Sequence, residues 1–539
     1  MKSLIIKIVD RLGVRKRMGT AIERLKLRYF IYSINPPKPT KKILFGPGFN
    51  IGRTFTNHDI IIAGLLRHNG AEIHYPYGRW GFKSNYPFFG GRWGDTNLVK
   101  NEKSLTDGEN RAFSYFKLLG DTHYVADYIN ETDLKEINDT VFLLSETEML
   151  SYHYRGISIG HDAMNTVRNL YMVDQISLVD DYLSQLREAL HDCMIYVLYF
   201  ERVIAKVQPD IIFSHDCFYM PWSHLGNLAD KYGIKFYNYY MGLHPDTWVY
   251  TNRSPSMEFE FMNNIWLENE NRTLSHEEKN KLGALLSDRK KGKVGNLDLK
   301  TSEDITEWEY LLNKLENKPF VVFYSNIFWD LAALDKGIIF QTIEDAICFL
   351  IEWFEKRPEF NLILKPHPAE KHELIPETMQ TVGSIIEHKF KTGIPANIHY
   401  LNPLTNISSY DLFPHSACTL AWTGTSGIES VIFGTPTISL ANAHYRGKGF
   451  TTDPLNINDL GNALEKHLTS KQMRDDKQID LAKKYFYLFQ YALSKNVGIP
   501  TMRYNMKAPE LNWKTAETYL KNEYLEKVIN SIVSMRDIT

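Results

Sequence analysis

Short apolar runs and amphipathic stretches alternate along most of the chain. The runs in KKILFGPGFN, PDIIFSHD and FNLILKPHP end in polar residues, which is typical of buried strands in a parallel sheet. Between such runs, a stretch that carries Ile60, Ile61 and Leu65 predicts a helix capped by Asn57. Strands that alternate with helices predict an α/β fold with parallel sheets.

Changes in this pattern divide the chain further. Prolines 36, 37 and 39 break the leading segment, and the stretch from Glu268 to Glu307 is highly charged with few apolar residues. The predicted segments are a basic amphipathic segment over 1–40, an α/β domain over 41–255, a helical connection over 256–317, a second α/β domain over 318–470 and C-terminal helices over 471–539.

Composition and charge narrow the setting. The net charge of −2 gives no general attraction to nucleic acid, and the 4 cysteines form no CxxC pair, which favours a reducing compartment. No stretch reads as a signal peptide or a membrane span, so we expect a cytoplasmic protein. Residues 1–28 combine basic and apolar positions at helical spacing, which suits the anionic inner face of a membrane. The alternative is a helix docked on the protein body.

The KPHPAE stretch after a predicted strand is the first candidate for chemistry. Two prolines flank His367 and fix it where the strand ends, and an imidazole can transfer a proton or bind phosphate near neutral pH. Lys365 and Glu370 beside it add charged groups to the candidate site. A structural role for a histidine at a strand end is the alternative.

The second candidate is the turn from Trp422 to Glu429, between a predicted strand and a predicted helix. Its small residues leave backbone N–H groups exposed at a helix N-terminus, where the dipole favours an anion. Glu429 can reach a ribose or cap the helix with Ser426. The predicted nucleotide-binding residues of this turn are Thr423, Gly424, Thr425, Ser426, Gly427 and Glu429.

A catalytic site would also need a group that takes a proton or acts as a nucleophile. Asp216 is the first choice because it follows a predicted strand, at the edge where open α/β sheets bind ligands, and His215 and His244 are alternatives. Arg53, Arg446 and Lys448 lie in glycine-rich segments and are candidate contacts for phosphate or a sugar carboxylate. No pair of acidic residues at a strand edge indicates a catalytic metal.

In combination these motifs resemble the C-terminal half of capsule polysaccharide biosynthesis glycosyltransferases. That group includes bacterial Kdo transferases and is similar to polysialyltransferases and glycerophosphotransferases in its His-Pro and Ser-rich motifs. The resemblance covers about Phe320 to Pro454. It is carried by Ser325-Asn326 with Trp329-Asp330, KPHPAE, SSYDLF, TGTSGIESVIFGTP and AHYRGKGFTTDP.

The resemblance implies a GT-B fold, in which two Rossmann-like domains face a cleft and the second holds the donor nucleotide. It implies that His367 contacts the donor phosphate or assists the leaving group, that Thr425 and Ser426 hold phosphate, and that Glu429 holds the ribose. The N-terminal half departs from the family because it lacks an Asp-Asp-Gly or Glu-Asp-Gly motif.

The expected function is transfer of a sugar from a nucleotide-sugar donor to a bacterial surface polysaccharide or glycolipid, such as lipopolysaccharide. A CMP-linked sugar is one candidate donor, and inversion and retention both stay open. The nucleotide-sugar is a substrate, so no cofactor or metal is expected. The alternatives are a nucleotide-sugar epimerase, a glycerophosphotransferase-like enzyme and an inactive scaffold at the membrane.

Overall fold

A computed structural model describes most of the chain. The described residues are 25–48, 53–83, 109–215, 217–252, 259–294, 297–298, 306–371, 378–470, 475–501 and 511–538. Most of the basic N-terminal segment and Asp216 lie outside these ranges. Among the described helices, none is both long and apolar enough to cross a bilayer.

In the first domain the apolar runs form strands and the amphipathic stretches form helices. The strands are β1 (Lys41–Phe45), β2 (Ala71–Tyr77), β3 (Asp121–Tyr124), β4 (His153–Tyr154), β5 (Ile157–Ser158), β6 (Ile211–His215), β7 (Lys235–Met241) and β8 (Trp248–Asn252). The helices are α1 (described over 25–32), α2 (Arg53–His68), α3 (described over 109–116), α4 (Glu131–Leu143), α5 (Glu146–Leu150), α6 (Gly160–Tyr171), α7 (Tyr182–Val207) and α8 (Trp222–Tyr232).

The main sheet of this domain has the strand order β3-β2-β1-β6-β7-β8. Its pairs are parallel except for β7 with β8, while β4 and β5 form a small separate hairpin. The carboxyl ends of β1, β6 and β7 therefore meet at one edge, where loops can gather around a ligand.

The connection and the second domain continue the alternation. The strands are β9 (Lys293–Val294), β10 (Leu297–Asp298), β11 (Phe320–Tyr324), β12 (Asn361–Lys365), β13 (Ile398–Tyr400), β14 (Cys418–Ala421) and β15 (Thr437–Ser439). The helices are α9 (Met262–Asn269), α10 (His276–Lys290), α11 (Thr306–Leu315), α12 (Ile343–Glu355), α13 (Val382–Lys389), α14 (Ser409–Leu412), α15 (Ser426–Ile432), α16 (Ile457–Thr469), α17 (Asp476–Tyr491), α18 (Ala516–Leu520) and α19 (Glu523–Val533).

The second sheet is parallel throughout, in the order β13-β12-β11-β14-β15. Its strands are buried on both faces, and Phe323, Leu364 and Leu420 belong to one apolar core with the helices around them. This arrangement explains why these strands are nearly continuous apolar runs in the sequence. The expected α/β class with parallel sheets is confirmed.

Two details of the first domain differ from the sequence-based expectation. Asn57 does not cap a helix, because α2 begins at Arg53 and Asn57 is buried within it. Strand β8 runs antiparallel at the edge of the sheet, although the pattern indicated no strand there. Although β8 lies at the edge of the described sheet, its side chains Trp248, Val249 and Tyr250 are buried.

The C-terminal helices pack on both domains. Helix α17 packs against α15 in the second domain through a shared apolar cluster. The chain then pairs with β8, since the backbones of Trp248 and Lys495 exchange hydrogen bonds of 2.8 and 3.0 Å. Helices α18 and α19 join the core of the first domain, where Phe30 of α1 contacts Trp513 and Tyr519. Gly64 of α2 leaves room for Phe30, whose ring would lie 2.5 Å from an added Cβ.

Charged side chains join the two domains next to α6. His161 Nε2 lies 2.8 Å from a carboxylate oxygen of Asp335, and Arg168 lies 3.2 Å from the other oxygen. The hydrogen bond to Asp335 raises the pKa of His161. That hydrogen bond and the nearby charge of Arg168 together lower the pKa of Asp335 to about 2.

These shifts predict a pH-dependent contribution of His161 to stability. A histidine whose pKa is raised by folding stabilises fully below its unfolded pKa, near 6.5, and loses this contribution as the pH rises through the folded pKa. We expect His161→Gln to lower the melting temperature at pH 5.5 and to have little effect at pH 8.5. The lost free energy should be about 0.2–1 kcal/mol, because both side chains are half exposed.

Melting curves of wild type and variant across this pH range check the prediction. His153→Gln is a matched control, since its exposed ring contacts the backbone carbonyl of Ser151 and no carboxylate. A difference that grows with pH would contradict the assignment.

Candidate active site

A cavity of about 310 Å³ lies between the two domains. Residues 240–243, at the carboxyl end of β7, form its first-domain side. Residues 423–425, which follow β14, form part of the opposite side. Loops from the carboxyl edges of both parallel sheets therefore meet around one space, which is the usual position of a ligand in such folds.

The turn after β14 is held rigidly by the neighbouring strand end. Asn326, which follows β11, donates to Thr423 Oγ1 at 2.9 Å and accepts from the Thr423 N–H at 3.1 Å. Gly427 must be a glycine, because an added Cβ would lie 2.4 Å from the Tyr445 hydroxyl. The sequence motif is thus explained by two close contacts that fix the turn.

The backbone of this turn offers donors to the cavity. Within the described residues, the N–H groups of Gly424, Thr425 and Ser426 find no protein acceptor. Gly424 and Thr425 line the cavity, and Ser426 begins α15. Unpaired N–H groups in this arrangement suit an anionic group such as a phosphate.

Arg289, at the end of α10, also lines the cavity. Its guanidinium donates to Glu429 Oε1 at 2.7 Å and to Thr425 Oγ1 at 2.8 Å, and the Tyr410 hydroxyl donates to the second oxygen of Glu429. Burial alone lowers the pKa of Arg289, but the Glu429 carboxylate outweighs it and the pKa is raised. The network holds the Arg289 guanidinium at the cavity, with its charge balanced by Glu429.

This network changes the expected role of Glu429. Both of its carboxylate oxygens are engaged within the protein, and it is only 4% exposed. The structure therefore places Glu429 behind Arg289 and not against a ribose. Two cations that line the cavity, Arg289 and Lys336, are not among the residues predicted from the sequence. Arg289 stands in a charged helix, where its pattern is that of a solvated residue.

Aromatic rings form another wall of the cavity. His444 stacks on Phe489 with ring centroids 4.3 Å apart, and Phe259 packs against both. The Tyr485 hydroxyl donates to the His444 carbonyl at 2.7 Å, so its oxygen must accept from His444 Nδ1–H at 2.8 Å. Burial and Lys448 lower the pKa of His444 to about 3. Its Nε2 is thus an unprotonated acceptor.

His367 lies near this site but does not line the cavity. It follows β12 at the carboxyl edge of the second sheet, where it is half-buried. The N–H of Ala369 donates to His367 Nδ1 at 3.1 Å, so the neutral ring carries its proton on Nε2. Ala369 packs against Met172 of the first domain, which places the His367 turn where the domains meet.

Four predicted contacts do not line the cavity, so these expectations are corrected. Lys365 is buried and donates to the Ile407 carbonyl at 2.9 Å, and burial lowers its pKa to about 8. Glu370 is fully buried, which raises its pKa to about 8. Arg446 donates to the Ser439 and Pro454 carbonyls, and Lys448 donates to Asn263. The side chains of Lys365, Arg446 and Lys448 are thus held by other parts of the protein, and that of Glu370 is enclosed by it.

The candidate residues of the first domain fall into two groups, those outside the described residues and two histidines that do not line the cavity. Asp216 lies outside the described residues, as does the side chain of Arg53, the first residue of α2. His215 is 3% exposed among aromatic rings, and burial lowers its pKa to about 3. His244 stacks on Tyr491, and burial lowers its pKa to about 4. Neither histidine lines the cavity.

Comparison with known proteins supports the resemblance seen in the motifs. Residues 300–488 match the family described as capsule polysaccharide biosynthesis protein. The match spans the whole second sheet and most of the second-domain side of the cavity. No curated protein sequence matches the chain significantly.

The chain also has distant similarity to several solved structures. The β-Kdo 2,4-transferase KpsC of Thermosulfurimonas dismutans is 12% identical over 51% of this chain and 78% of its own, with a TM-score of 0.34. The β-Kdo 2,7-transferase KpsC of the same organism is 13% identical over 53% and 79%, with a TM-score of 0.30. The UDP-GlcNAc 2-epimerase of Neisseria meningitidis is 12% identical over 82% and 95%, with a TM-score of 0.24. Similarity at this level concerns the fold and not the substrate.

The segment that builds the second sheet and its side of the cavity, residues 300–488, is therefore similar to capsule polysaccharide biosynthesis proteins, as its motifs indicated.

Proposed function

We propose that this protein transfers a sugar from a nucleotide-sugar donor to a bacterial surface polysaccharide or glycolipid acceptor. The observation that carries the proposal is the cavity at the meeting edges of two parallel sheets, which combines unpaired backbone N–H groups, two cations and an aromatic wall. The family match over residues 300–488 supports the link to capsule polysaccharide synthesis.

The lining suggests how the donor lies. Phosphate oxygens accept from the N–H groups of residues 424–426, and Arg289 and Lys336 balance their charge. The base packs against the wall of Phe259, His444 and Phe489, where His444 Nε2 accepts one hydrogen bond from a base N–H or a sugar hydroxyl. CMP-, UDP-, GDP- and CDP-linked sugars all carry an N–H or hydroxyl group that can donate this hydrogen bond.

The transfer step needs a proton acceptor and a stabilised leaving group. His215 and His244 are weak bases because burial lowers their pKa values to about 3 and about 4, so we retain Asp216 as the proposed base or nucleophile. His367 donates from Nε2 to the leaving phosphate, since its Nδ1 already accepts from the backbone. The donor thus lies between the fixed turn after β14 and the His367 turn after β12.

Blocking the cavity tests the donor site. Gly424→Leu adds a side chain that points into the cavity without strain, since an added Cβ lies no closer than 3.5 Å to any neighbour. We expect donor affinity to fall by about 10-fold or more, equal to 1.4 kcal/mol. Calorimetric titration with CMP-, UDP-, GDP- and CDP-linked sugars measures it. Gly283→Leu, on an exposed face with nothing within 4 Å, is the matched control. Equal affinity in both folded variants would remove the turn from the site.

Product formation tests the reaction itself. A transferase releases the nucleotide only when an acceptor saccharide is present, whereas an epimerase converts its donor alone. We expect His367→Ala to lower turnover by about 10²–10⁴-fold, the range of a positioned acid or base. Partial rescue in His367→Asn would favour a phosphate contact over proton transfer. Near-normal turnover in a folded His367→Ala protein would reject the role.

We also propose that the enzyme works at the inner face of the membrane. Helix α1 buries Leu27 and Phe30 against the first domain, while Leu25, Tyr29 and Tyr32 are 60–83% exposed at helical spacing on its other side. Exposed tyrosines next to basic residues suit the headgroup region of an anionic bilayer.

Vesicle binding tests this surface. Tyr29→Ser combined with Tyr32→Ser should reduce flotation of the full chain with anionic liposomes, and the remaining binding should fall with salt. Tyr310→Ser is the control, because Tyr310 is similarly exposed on the second domain. Unchanged flotation of the double variant would show that α1 does not contact lipid.

A further inference from the structure

A cluster of metal-binding residue types lies on β2 and β3, away from the cavity. Glu72 and His74 alternate along β2, and Asp121 begins β3 directly opposite His74 in the parallel register. Ala71, Ile73 and Tyr75 point into the apolar core, so Glu72 and His74 share the other face of the sheet. The cluster lies towards the amino ends of these strands, whereas the cavity lies at the carboxyl edge.

The ligand atoms of this cluster are already close together. His74 Nε2 lies 2.9 Å from a carboxylate oxygen of Glu72, and one ligand atom from each of Glu72, His74 and Asp121 lies within 4.8 Å of the others. Ligands of a tetrahedral zinc ion are about 3.3 Å apart, given bonds of about 2.0 Å. Glu72 is half-exposed and Asp121 is exposed, so both can rotate the remaining distance.

The other nitrogen of His74 is fixed by a second histidine. His74 Nδ1 lies 3.1 Å from His123 Nε2, and His123 Nδ1 lies 2.6 Å from the Tyr128 hydroxyl. Both histidines are buried, so their ring protons are confined to this hydrogen-bonded chain. A neutral His74 can therefore carry its proton on Nδ1 and donate it to His123 Nε2, while His123 donates from Nδ1 to the Tyr128 oxygen. This arrangement presents the lone pair of His74 Nε2 to a metal ion, and no proton is lost. Metal-binding histidines are usually oriented by such a partner.

We propose that Glu72, His74 and Asp121 bind a divalent transition-metal ion of the zinc class, with His123 orienting His74. The charge of the two carboxylates favours a cation. Lys42 and Lys206 oppose it, but the Lys42 ammonium is turned to the Val207 carbonyl at 3.2 Å and the Lys206 ammonium lies over the Tyr128 ring. Three protein ligands leave the fourth position of the ion to water.

The site would link the edge strand β3 to β2. Among the described strands, β3 pairs only with β2, so a metal bridge between their side chains restrains β3 more than it would a central strand. The proposal is independent of the transfer reaction, and it departs from the sequence-based expectation of no metal.

Zinc titration of the metal-free full-length protein tests the proposal. Competition with a chromophoric chelator measures affinity, and elemental analysis after dialysis measures stoichiometry. We expect one zinc ion per chain and a melting temperature that rises with zinc. Asp121→Asn, His74→Gln and His123→Gln should each weaken binding by about 10–100-fold or more. His388→Gln is the control, since its exposed ring contacts only the Ser384 carbonyl.

Two results would overturn the proposal. One is a wild-type protein that binds no zinc at a tenfold excess over micromolar protein. The other is zinc binding that is equally strong in Asp121→Asn and in wild type. Asp121 is exposed, so this variant keeps its fold and the test stays decisive even if a histidine variant is unstable. Melting curves without zinc confirm that each variant is folded.

Discussion

Two neighbouring parallel strands cannot be joined by a tight turn, because the chain must first return to the other end of the sheet. Helices supply that return in both domains, and the loops that leave the strands therefore collect at one edge. In this protein the two edges face each other, so residues 240–243 and 423–425 line the same cavity. Residues that are far apart in the sequence become neighbours for this reason alone.

The second determinant of the site is a buried ion pair between the connection and the second domain. Arg289 and Glu429 are each less than 10% exposed at their side chains, with 2.7 Å between them. A carboxylate at that depth without its partner would destabilise the fold by roughly 3–5 kcal/mol. The pair thus fixes α10 against α15 and at the same time holds a guanidinium at the cavity. One interaction serves both the packing of the connection and the charge of the site.

The sequence was informative where local pattern decides structure. Apolar runs located most strands of both sheets. The small residues Thr423, Gly424 and Thr425 stand in a turn that lines the cavity, and their role in binding a nucleotide stays a prediction. The pattern failed where the sequence does not determine whether a side chain points into the protein or towards a ligand. Lys365 and Glu370 lie at or after a strand end as ligand-binding residues do, yet both are buried and neither lines the cavity.

The remaining residues of the site depend on contacts that no local pattern contains. The tautomer of His444 is fixed by Tyr485, which lies 41 residues away in the sequence. Arg289 is indistinguishable from its charged neighbours until Glu429 is placed beside it.

The bridge between Trp248 and Lys495 has a mechanical consequence. The chain passes from the first domain to the second after β8 and returns after α17, and this bridge holds the two passages side by side. Leu243 is tied to the same place by the Ser494 hydroxyl at 3.1 Å. Two adjacent passages act as a hinge, so rotation about them is the relative motion that the covalent chain leaves free. Leu243 and Gln490 line the cavity close to this axis, and its walls come from both domains. A rotation of one domain about these two passages would therefore change the width of the cavity.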